Sequence, residues 1–452
     1  MMWRHKVLTS VTTLMVAAAG LVAVHAPAAS AAPLDLANAR LQVKDNAAYL
    51  KANVQGLDDA LPNVGVGDIM AEANRTGTVR SGSACNSAAV VDADRDPSKP
   101  AVSVTKSFCW QDDPTGEDDR NTKNWFPQGV TTVADAQADQ KWGDSNQPVL
   151  VSWYFAGAAP AGNDQKGVRV SFIDPGTGEY RHVLLAHPYE NSSGNASYTS
   201  LRDDQTAGKG DSLHAGGITW YGNFLYVADT SHGLRVFDMR HIYDLKAAGD
   251  KGNVTDQGKV GRIDGVFYGY GYRYVMPEVT VWEHAGSGGT ACTDSAGPLR
   301  FSYTSLDRSG TDSLLAGEYC DGYTKGRVAS WDIADATSGG EQRTSGYWDA
   351  KSLHTLSVPN VNGATRFSGR WYVSQTHGDN EAGQDDLSEL FKMKPVTSAT
   401  GALTKDSVQP GAIGAEALSH WPFGTEDTPS LGTIWTASEH PNRRMVYATL
   451  PQ

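Results

Sequence analysis

Short runs of alternating apolar and polar residues, separated by glycine, aspartate, asparagine, serine and proline, fill the chain from about residue 77 to its end. A period of two is typical of half-buried strands, and the intervening residues are typical of tight turns. One unit recurs: a strand, usually containing or preceded by glycine, then a more apolar strand that ends in a polar or histidine motif, then a third strand. Its five copies begin at about Gln128, His214, Leu299, Asn362 and Gly414.

Repetition of one strand unit with insertions of variable length is typical of a β-propeller, in which small antiparallel sheets surround a central axis. The pattern predicts an all-β propeller domain over residues 77–452. It indicates five blades, with six or seven as alternatives. The β-rich segment from 78 to 112 is a candidate for a ring-closing strand or for part of a further blade. A pair of β-sandwiches would not repeat the same unit five times.

Residues 32–76 have a different pattern. Apolar residues in the stretches 34–43 and 46–61 recur at spacings of three and four, which predicts one or two helices. This short helical N-terminal segment fits an arm, a cap on the propeller or a propeptide, and the sequence does not choose between them.

The first 31 residues have the features of a secretory signal peptide. Arg4 and Lys6 precede an apolar run from 11 to 24, and Ala29-Ser-Ala31 is a small-residue cleavage pattern. A membrane anchor is the alternative, but a spanning helix needs roughly 20 apolar residues. We therefore expect a secreted, extracellular protein without a membrane span, which is a monomer and begins at Ala32 or at a later processed site.

Charge and cysteine content fit this compartment. The chain has 38 basic and 51 acidic residues, and loss of Arg4 and Lys6 makes its net charge of −13 still more negative. Nucleic acid is disfavoured as a partner, because neutralising phosphates requires clustered Lys and Arg. In an exported protein four cysteines indicate two disulfides with three connectivities. Their separations favour near-neighbour pairing, which joins Cys85 to Cys109 and Cys292 to Cys320.

Four segments resemble secreted actinomycete β-propeller proteins. They are Leu213-His-Ala-Gly-Gly-Ile, Ala228-Asp-Thr-Ser-His-Gly-Leu-Arg-Val-Phe-Asp, Tyr272-Arg-Tyr-Val-Met-Pro and Leu306-Asp-Arg-Ser-Gly-Thr-Asp-Ser-Leu. The resemblance covers about residues 125–450. It implies the fold and the extracellular compartment, and no reaction.

Candidate functional residues follow the second strand of several copies. In a propeller this loop lies on the same face as the start of the first strand, so equivalent loops converge on one funnel near the axis. The candidate metal ligands in this funnel are His214, His232, His377 and His440. The candidate pocket-lining carboxylates are Asp229, Glu318, Asp321, Asp379 and Glu439.

These residue types support two chemistries. Imidazole and carboxylate groups can hold a divalent metal ion with an open water position, and a His–carboxylate pair can transfer protons near neutral pH. A histidine or aspartate in a turn also commonly bonds only its own backbone. The acidic run 92–96 could bind calcium, and the aromatic run 267–274 could stack on sugar rings or fill a core.

The sequence contains no nucleophile elbow, P-loop or dinucleotide fingerprint. The leading hypothesis is an extracellular protein that binds a protein or polysaccharide through the funnel. A metal-assisted hydrolase or lyase acting on an extracellular polymer is the first alternative. A cell-wall-associated protein cross-linked through Gln137 and Gln140 is the second.

Overall fold

The computed structural model describes residues 34–91, 100–113, 118–157, 166–203, 210, 213–286, 292, 297–322, 326–376, 386–422 and 431–452. The predicted signal peptide, the acidic run 92–96, His377 and Asp379 lie outside these residues. Within them, no helix is both long and apolar enough to cross a membrane.

Most of the longer strands of the described chain form five antiparallel groups of four, and the first two groups also join through parallel pairing of their last strands. The group 1 strands are Trp125–Thr132, Val149–Phe155, Val168–Ile173 and Glu179–Glu190. The group 2 strands are Ile218–Tyr221, Phe224–Asp229, Gly233–Asp238 and Tyr274–His284. The group 3 strands are Tyr303–Asp307, Ser313–Gly317, Arg327–Asp332 and Ser352–Leu356. The group 4 strands are Val361–Phe367, Arg370–Gln375, Leu387–Met393 and Lys405–Ile413. The group 5 strands are Ser419–Trp421, Thr433–Ala437, Val446–Thr449 and Lys106–Cys109.

The first strands of the five groups contact one another in a closed cycle, from group 1 through group 5 and back to group 1. Glycine permits this close approach. A Cβ on Gly217 would lie 2.0 Å from the Thr304 backbone nitrogen, and one on Gly129 would lie 2.6 Å from that of Ile218. Buried hydroxyls fill the space between the strands, and the Oγ1 atoms of Thr219 and Thr304 are 2.9 Å apart. This arrangement confirms a mainly β, propeller-like fold.

Apolar clusters lie between neighbouring groups and hold them face to face. Trp282 of group 2 and Trp331 of group 3 share one cluster, and Trp153 of group 1 and Trp435 of group 5 share another. Each group buries the aromatic rings on its two faces against the neighbouring groups. Each group therefore depends on its neighbours for its core.

Group 5 closes the ring with strands from both ends of the described chain. Val446 and Ala448 on its third strand pair with Phe108 and Lys106, which confirms the predicted ring-closing strand in 78–112. The disulfide between Cys85 and Cys109 ties this strand to the preceding loop, and Cys292 pairs with Cys320. The predicted disulfide pairing is confirmed.

The N-terminal segment packs along groups 1 and 2. The predicted helix in 46–61 is Ala47–Asp58, and its buried Leu50 and Leu57 face the core. The stretch 34–43 is not one helix. It forms a single 3₁₀ turn and then the strand Leu41–Val43, because that strand pairs with the fourth strand of group 2.

The remaining elements are short. The other helices are Leu36–Ala39, Val66–Ala71, Ser87–Ala89, Val133–Ala136, Gly249–Lys251 and Ile333–Ala336. The other strands are Asn63–Val64, Arg75–Thr76, Thr78–Ser81, Ala196–Ser200, Ile242–Asp244, Gly252–Asn253, Val260–Ile263, Val266–Gly269, Thr337–Ser338, Glu341–Gln342, Tyr347–Trp348 and Thr400–Leu403.

Three first strands begin later than the sequence pattern indicates, and in group 2 the strand begins at Ile218, four residues after His214. In group 3 the strand begins at Tyr303, because Leu299 and Phe301 are buried in the cluster between groups 2 and 3. In group 5 it begins at Ser419, and the predicted stretch 414–418 makes only an isolated bridge through Ala415. In groups 3 and 5, apolar residues that fill an interface between groups produce a pattern like that of a strand.

Asp135 is a buried carboxylate between groups 1 and 5. It accepts hydrogen bonds from the hydroxyls of Ser419 and Thr131, both at 2.7 Å. Burial raises its pKa to about 6, although these hydrogen bonds oppose the shift. The ionised form is therefore less favourable in the folded protein than in the unfolded chain.

We expect Asp135→Asn to change how stability depends on pH. The folded pKa lies above the unfolded value, so wild-type stability falls as pH rises from about 4 to 6, and the Asn variant lacks this loss. The difference between the two proteins in free energy of unfolding should shift by up to about 3 kcal/mol over that window. Urea unfolding from pH 4 to 7 measures it, and a constant difference would contradict the assignment.

Candidate functional site

A funnel-shaped cavity of about 640 Å³ lies where the five groups meet. Its walls come from the starts of the first strands and from the loops after the second strands, and every group contributes. We call this cavity the funnel. Its lining residues are Phe126, Gln128, Tyr154, Asp203, Leu213, His214, Asp229, Thr230, Ser231, Arg300, Ser302, Tyr319, Asn362, Glu416, Glu439 and His440.

One wall of the funnel is aromatic. The rings of Phe126 and Tyr154 stack at 5.6 Å, and the His214 ring lies 4.7 Å from that of Tyr154. The guanidinium of Arg444 lies 5.2 Å from the Phe126 ring centroid. Neighbouring strands of group 1 and the start of group 2 thus present a continuous ring surface.

The wall formed by groups 4 and 5 is polar. The Asn362 amide donates to the Glu416 carboxylate at 3.2 Å, which links the first strand of group 4 to the segment that leads into group 5. Glu439 and His440 follow the second strand of group 5 and line the same cavity. Carboxylates and an amide therefore stand near the aromatic wall.

Asp229 and His232 belong to a chain of ionisable side chains that is buried at Asp229 and partly exposed at His232. Asp229 accepts from the His232 ring at 3.0 Å and from Arg235 at 2.7 Å. Arg235 also bonds Glu278 at 3.0 Å, and Glu278 bonds the ring of His187. The hydrogen bond to Asp229 raises the pKa of His232. Although Asp229 is buried, Arg235 and His232 lower its pKa, so it stays ionised.

Glu318 does not line the funnel. It is fully buried and forms a bidentate pair with Arg327, at 2.7 and 3.0 Å. It also accepts from the Arg300 backbone at 3.1 Å, so it positions a residue that lines the funnel. Asp321 is exposed at the surface and accepts from Asn360 at 3.3 Å. Both depart from the predicted pocket-lining role.

Four predicted residues, His214, Asp229, Glu439 and His440, thus share the funnel. His232 is held by Asp229 beside it. In the part of the chain that the structure describes, no three His, Cys, Asp or Glu side chains form a metal-ligand group. The predicted metal site also requires His377, which lies outside that part, so the divalent ion stays a prediction.

The two glutamines of the cross-linking hypothesis are half-buried. The Gln140 side-chain oxygen accepts from the Trp421 indole at 2.8 Å, so this amide has a structural contact in the fold.

Group 1 contains a buried serine–histidine–aspartate chain that the sequence pattern does not reveal. Ser171 Oγ lies 2.8 Å from His182 Nδ1, and His182 Nε2 lies 3.1 Å from Asp119. Ser171 is fully buried and accepts from the Trp153 indole at 2.8 Å, so no substrate carbonyl can reach it. Burial lowers the pKa of His182 to about 3, which makes the ring a weak base. These three hydrogen-bonded side chains therefore have a structural role.

No family model matches the sequence, and no curated protein matches it. Among the solved structures that match are three whose folds have a low similarity to this one. Hydrazine synthase from Kuenenia stuttgartiensis has 13% identity and a TM-score of 0.27, and 72% of this chain and 77% of that chain are covered. A GH43_1 enzyme from Xanthomonas citri has 8% identity and a TM-score of 0.29, with 88% and 92% covered. The computationally designed Ika8 protein has 10% identity and a TM-score of 0.25, with 83% and 98% covered. TM-scores this low support no inference about activity.

Sequence reasoning missed the polar residues on or just before the first strands, of which Gln128, Asn362 and Glu416 line the funnel. A signal for them existed. Each stands directly before a small residue, in Gln128-Gly, Asn362-Gly and Glu416-Ala, and both glycines lie close to the backbone of the neighbouring group.

Proposed function

We propose that this chain is an exported five-bladed β-propeller that binds a saccharide in the funnel. The closed cycle of five first strands supports the blade count, since each group then forms one blade. The composition of the funnel is the observation that supports a saccharide as the ligand. An aromatic wall, Phe126 with Tyr154, stands in one cavity with the buried carboxylate of Glu416 and the amide of Asn362.

Sugars have apolar C–H faces and hydroxyl edges, and the two walls match these surfaces. An aromatic ring covers an apolar face and removes it from water, while carboxylate and amide groups accept from and donate to hydroxyls. A cavity of about 640 Å³ falls within the range of small-molecule sites, which suits a short oligosaccharide or the end of a polysaccharide. A folded protein partner would make few contacts with the funnel, because the site is concave.

Two funnel variants test the proposal. Tyr154→Ala removes one ring of the aromatic wall, and Glu416→Gln removes a charge while its carbonyl can still accept from Asn362. Since hydrogen bonds to charged groups contribute about 1.5–3 kcal/mol, we expect Glu416→Gln to weaken saccharide affinity about tenfold or more. A screen of soluble oligosaccharides, followed by calorimetry on the best binder, measures this.

Glu179→Gln is the matched control, because Glu179 is exposed at the start of the fourth strand of group 1 and away from the funnel. It should bind like the wild type. If no oligosaccharide binds, or if both funnel variants bind as well as the wild type, the saccharide proposal is wrong.

A further inference from the structure

A second cavity, of about 310 Å³, lies beside the outer strands of group 1. We call it the lateral cavity. Its walls are formed by group 1, by the N-terminal segment at Asn74 and Arg75, and by the insertion in group 2 that ends at Arg273. It shares no lining residue with the funnel.

The lateral cavity is basic in an acidic protein. Two carboxylates line it, Asp118 and Asp119, in a chain in which acidic residues outnumber basic ones. Its basic lining residues are Arg75, Lys166, Arg169, Arg181 and Arg273.

Of the two lining carboxylates, Asp118 accepts from the backbone and the side chain of Asn121, at 3.0 and 3.2 Å, and Asp119 is engaged by cations. Asp119 is buried and accepts from Arg169 at 2.7 Å and from Tyr180 at 2.7 Å, with Arg75 at 3.1 Å. The positive charge of Arg273 is neutralised by ion pairs with Asp244 and Glu72. These pairs leave Asp118 as the one lining carboxylate outside the ion pairs named here, against five basic lining residues.

Arg181 is one of the cations at the wall of the lateral cavity. Within the described residues it forms no ion pair with a carboxylate, and its guanidinium donates to the Glu72 backbone carbonyl at 2.7 Å. Arg181 and Arg273 both lie against the Tyr274 ring, at 5.1 and 5.0 Å from its centroid. Burial and the charges of Arg273 and Arg75 lower the pKa of Arg181. A bound anion would therefore offset the cost of keeping this guanidinium charged.

We infer that the lateral cavity binds a phosphate or sulfate group, with Arg181 and Lys166 as its main donors. A tetrahedral oxyanion accepts from several directions at once, and guanidinium groups match its oxygens in pairs. The cavity holds about ten water volumes at about 30 Å³ each, which exceeds one oxyanion. The remaining room suits the sugar of a phosphorylated or sulfated saccharide.

Thermal unfolding and calorimetry with inorganic phosphate, with sulfate and with glucose 6-phosphate test the site. Sodium chloride at equal ionic strength is the reference, since nonspecific screening affects all salts alike. We expect phosphate and sulfate to raise Tm above the chloride reference. Tighter binding of glucose 6-phosphate identifies a sugar-linked group as the ligand, and equal affinity identifies the free ion.

Arg181→Gln should weaken phosphate affinity about tenfold or more, because it removes a charged donor. Lys166→Gln is a second, half-buried variant that keeps the test valid if Arg181→Gln folds poorly. Arg370→Gln, on the exposed surface of group 4, and the funnel variant Glu416→Gln should keep wild-type phosphate affinity. Equal Tm shifts with chloride and phosphate, or wild-type affinity in both cavity variants, would overturn the inference.

Discussion

Asp119→Ala is expected to lower the free energy of unfolding by about 3–5 kcal/mol, because it leaves buried positive charges without their counter-ion. Asp119 is buried between Arg169, at 2.7 Å, and Arg75, at 3.1 Å. Burial opposes its ionisation, but His182 and the two arginines outweigh burial and hold its pKa well below the usual range. The substitution also removes the acceptor of the Tyr180 hydroxyl.

The loss should extend beyond group 1. The substitution removes the carboxylate that binds Arg75 of the N-terminal segment, while the Asp119 backbone carbonyl, which it keeps, accepts from Arg444 of group 5 at 3.1 Å. This region therefore joins three parts of the chain that are far apart in sequence. Urea unfolding at pH 7 measures the change.

Asp406→Ala is the matched control for this prediction. Asp406 pairs with Arg370 at 3.1 Å, but both side chains are more than a third exposed. Exposed ion pairs contribute less than about 1 kcal/mol, so this variant should unfold almost like the wild type. Equal losses in the two variants would show that burial of Asp119 has no special effect on stability.

Acidification from pH 7 to 4 is expected to destabilise the protein by several kcal/mol through its histidines. Burial lowers the pKa of His182 to about 3 and those of His284, His354 and His420 to about 4. A histidine with a lowered folded pKa binds its proton more readily in the unfolded chain. Stability is therefore retained above about pH 6.5 and lost as pH falls toward the folded values.

His354 gives the cleanest test, because its side chain is buried and stacks edge-on with Trp371. The change from 6.5 to about 4 corresponds to about 3 kcal/mol. His354→Gln should reduce the pH dependence by that amount, whatever its effect at pH 7. Asp135 acts in the opposite direction over part of the window, so Asp135→Asn should make the acid loss steeper. Stability that is constant from pH 7 to 4 would contradict the prediction.

Much of the fold could be predicted from local patterns. The five strand units, the helix Ala47–Asp58 and the ring-closing strand Lys106–Cys109 follow from apolar spacing and turn residues. Strand starts were less predictable. Leu299 and Phe301 alternate like strand residues, but they fill the interface between groups 2 and 3, and such packing is not encoded in a single segment.

The candidate site could be predicted only in part. Placing equivalent loops on one face predicts that His214, Glu439 and His440 lie together, and all three line the funnel. The same reasoning failed for Glu318, whose side chain turns into the sheet to pair with Arg327. The pattern of an acid at the end of the second strand and an arginine at the start of the third is visible in the sequence, and it favours such a pair.

By itself, the sequence determined the mainly β class, the repeated strand units and the two disulfides, because strand periodicity, turn chemistry and short cysteine separations act between neighbours in the chain. Only the tertiary structure decided which polar groups meet. Asp119 contacts Arg75 and Arg169, and Asn362 contacts Glu416, across separations that no local pattern links. Closing the strands around an axis brings such residues together, and burial then selects which of them remain charged and paired.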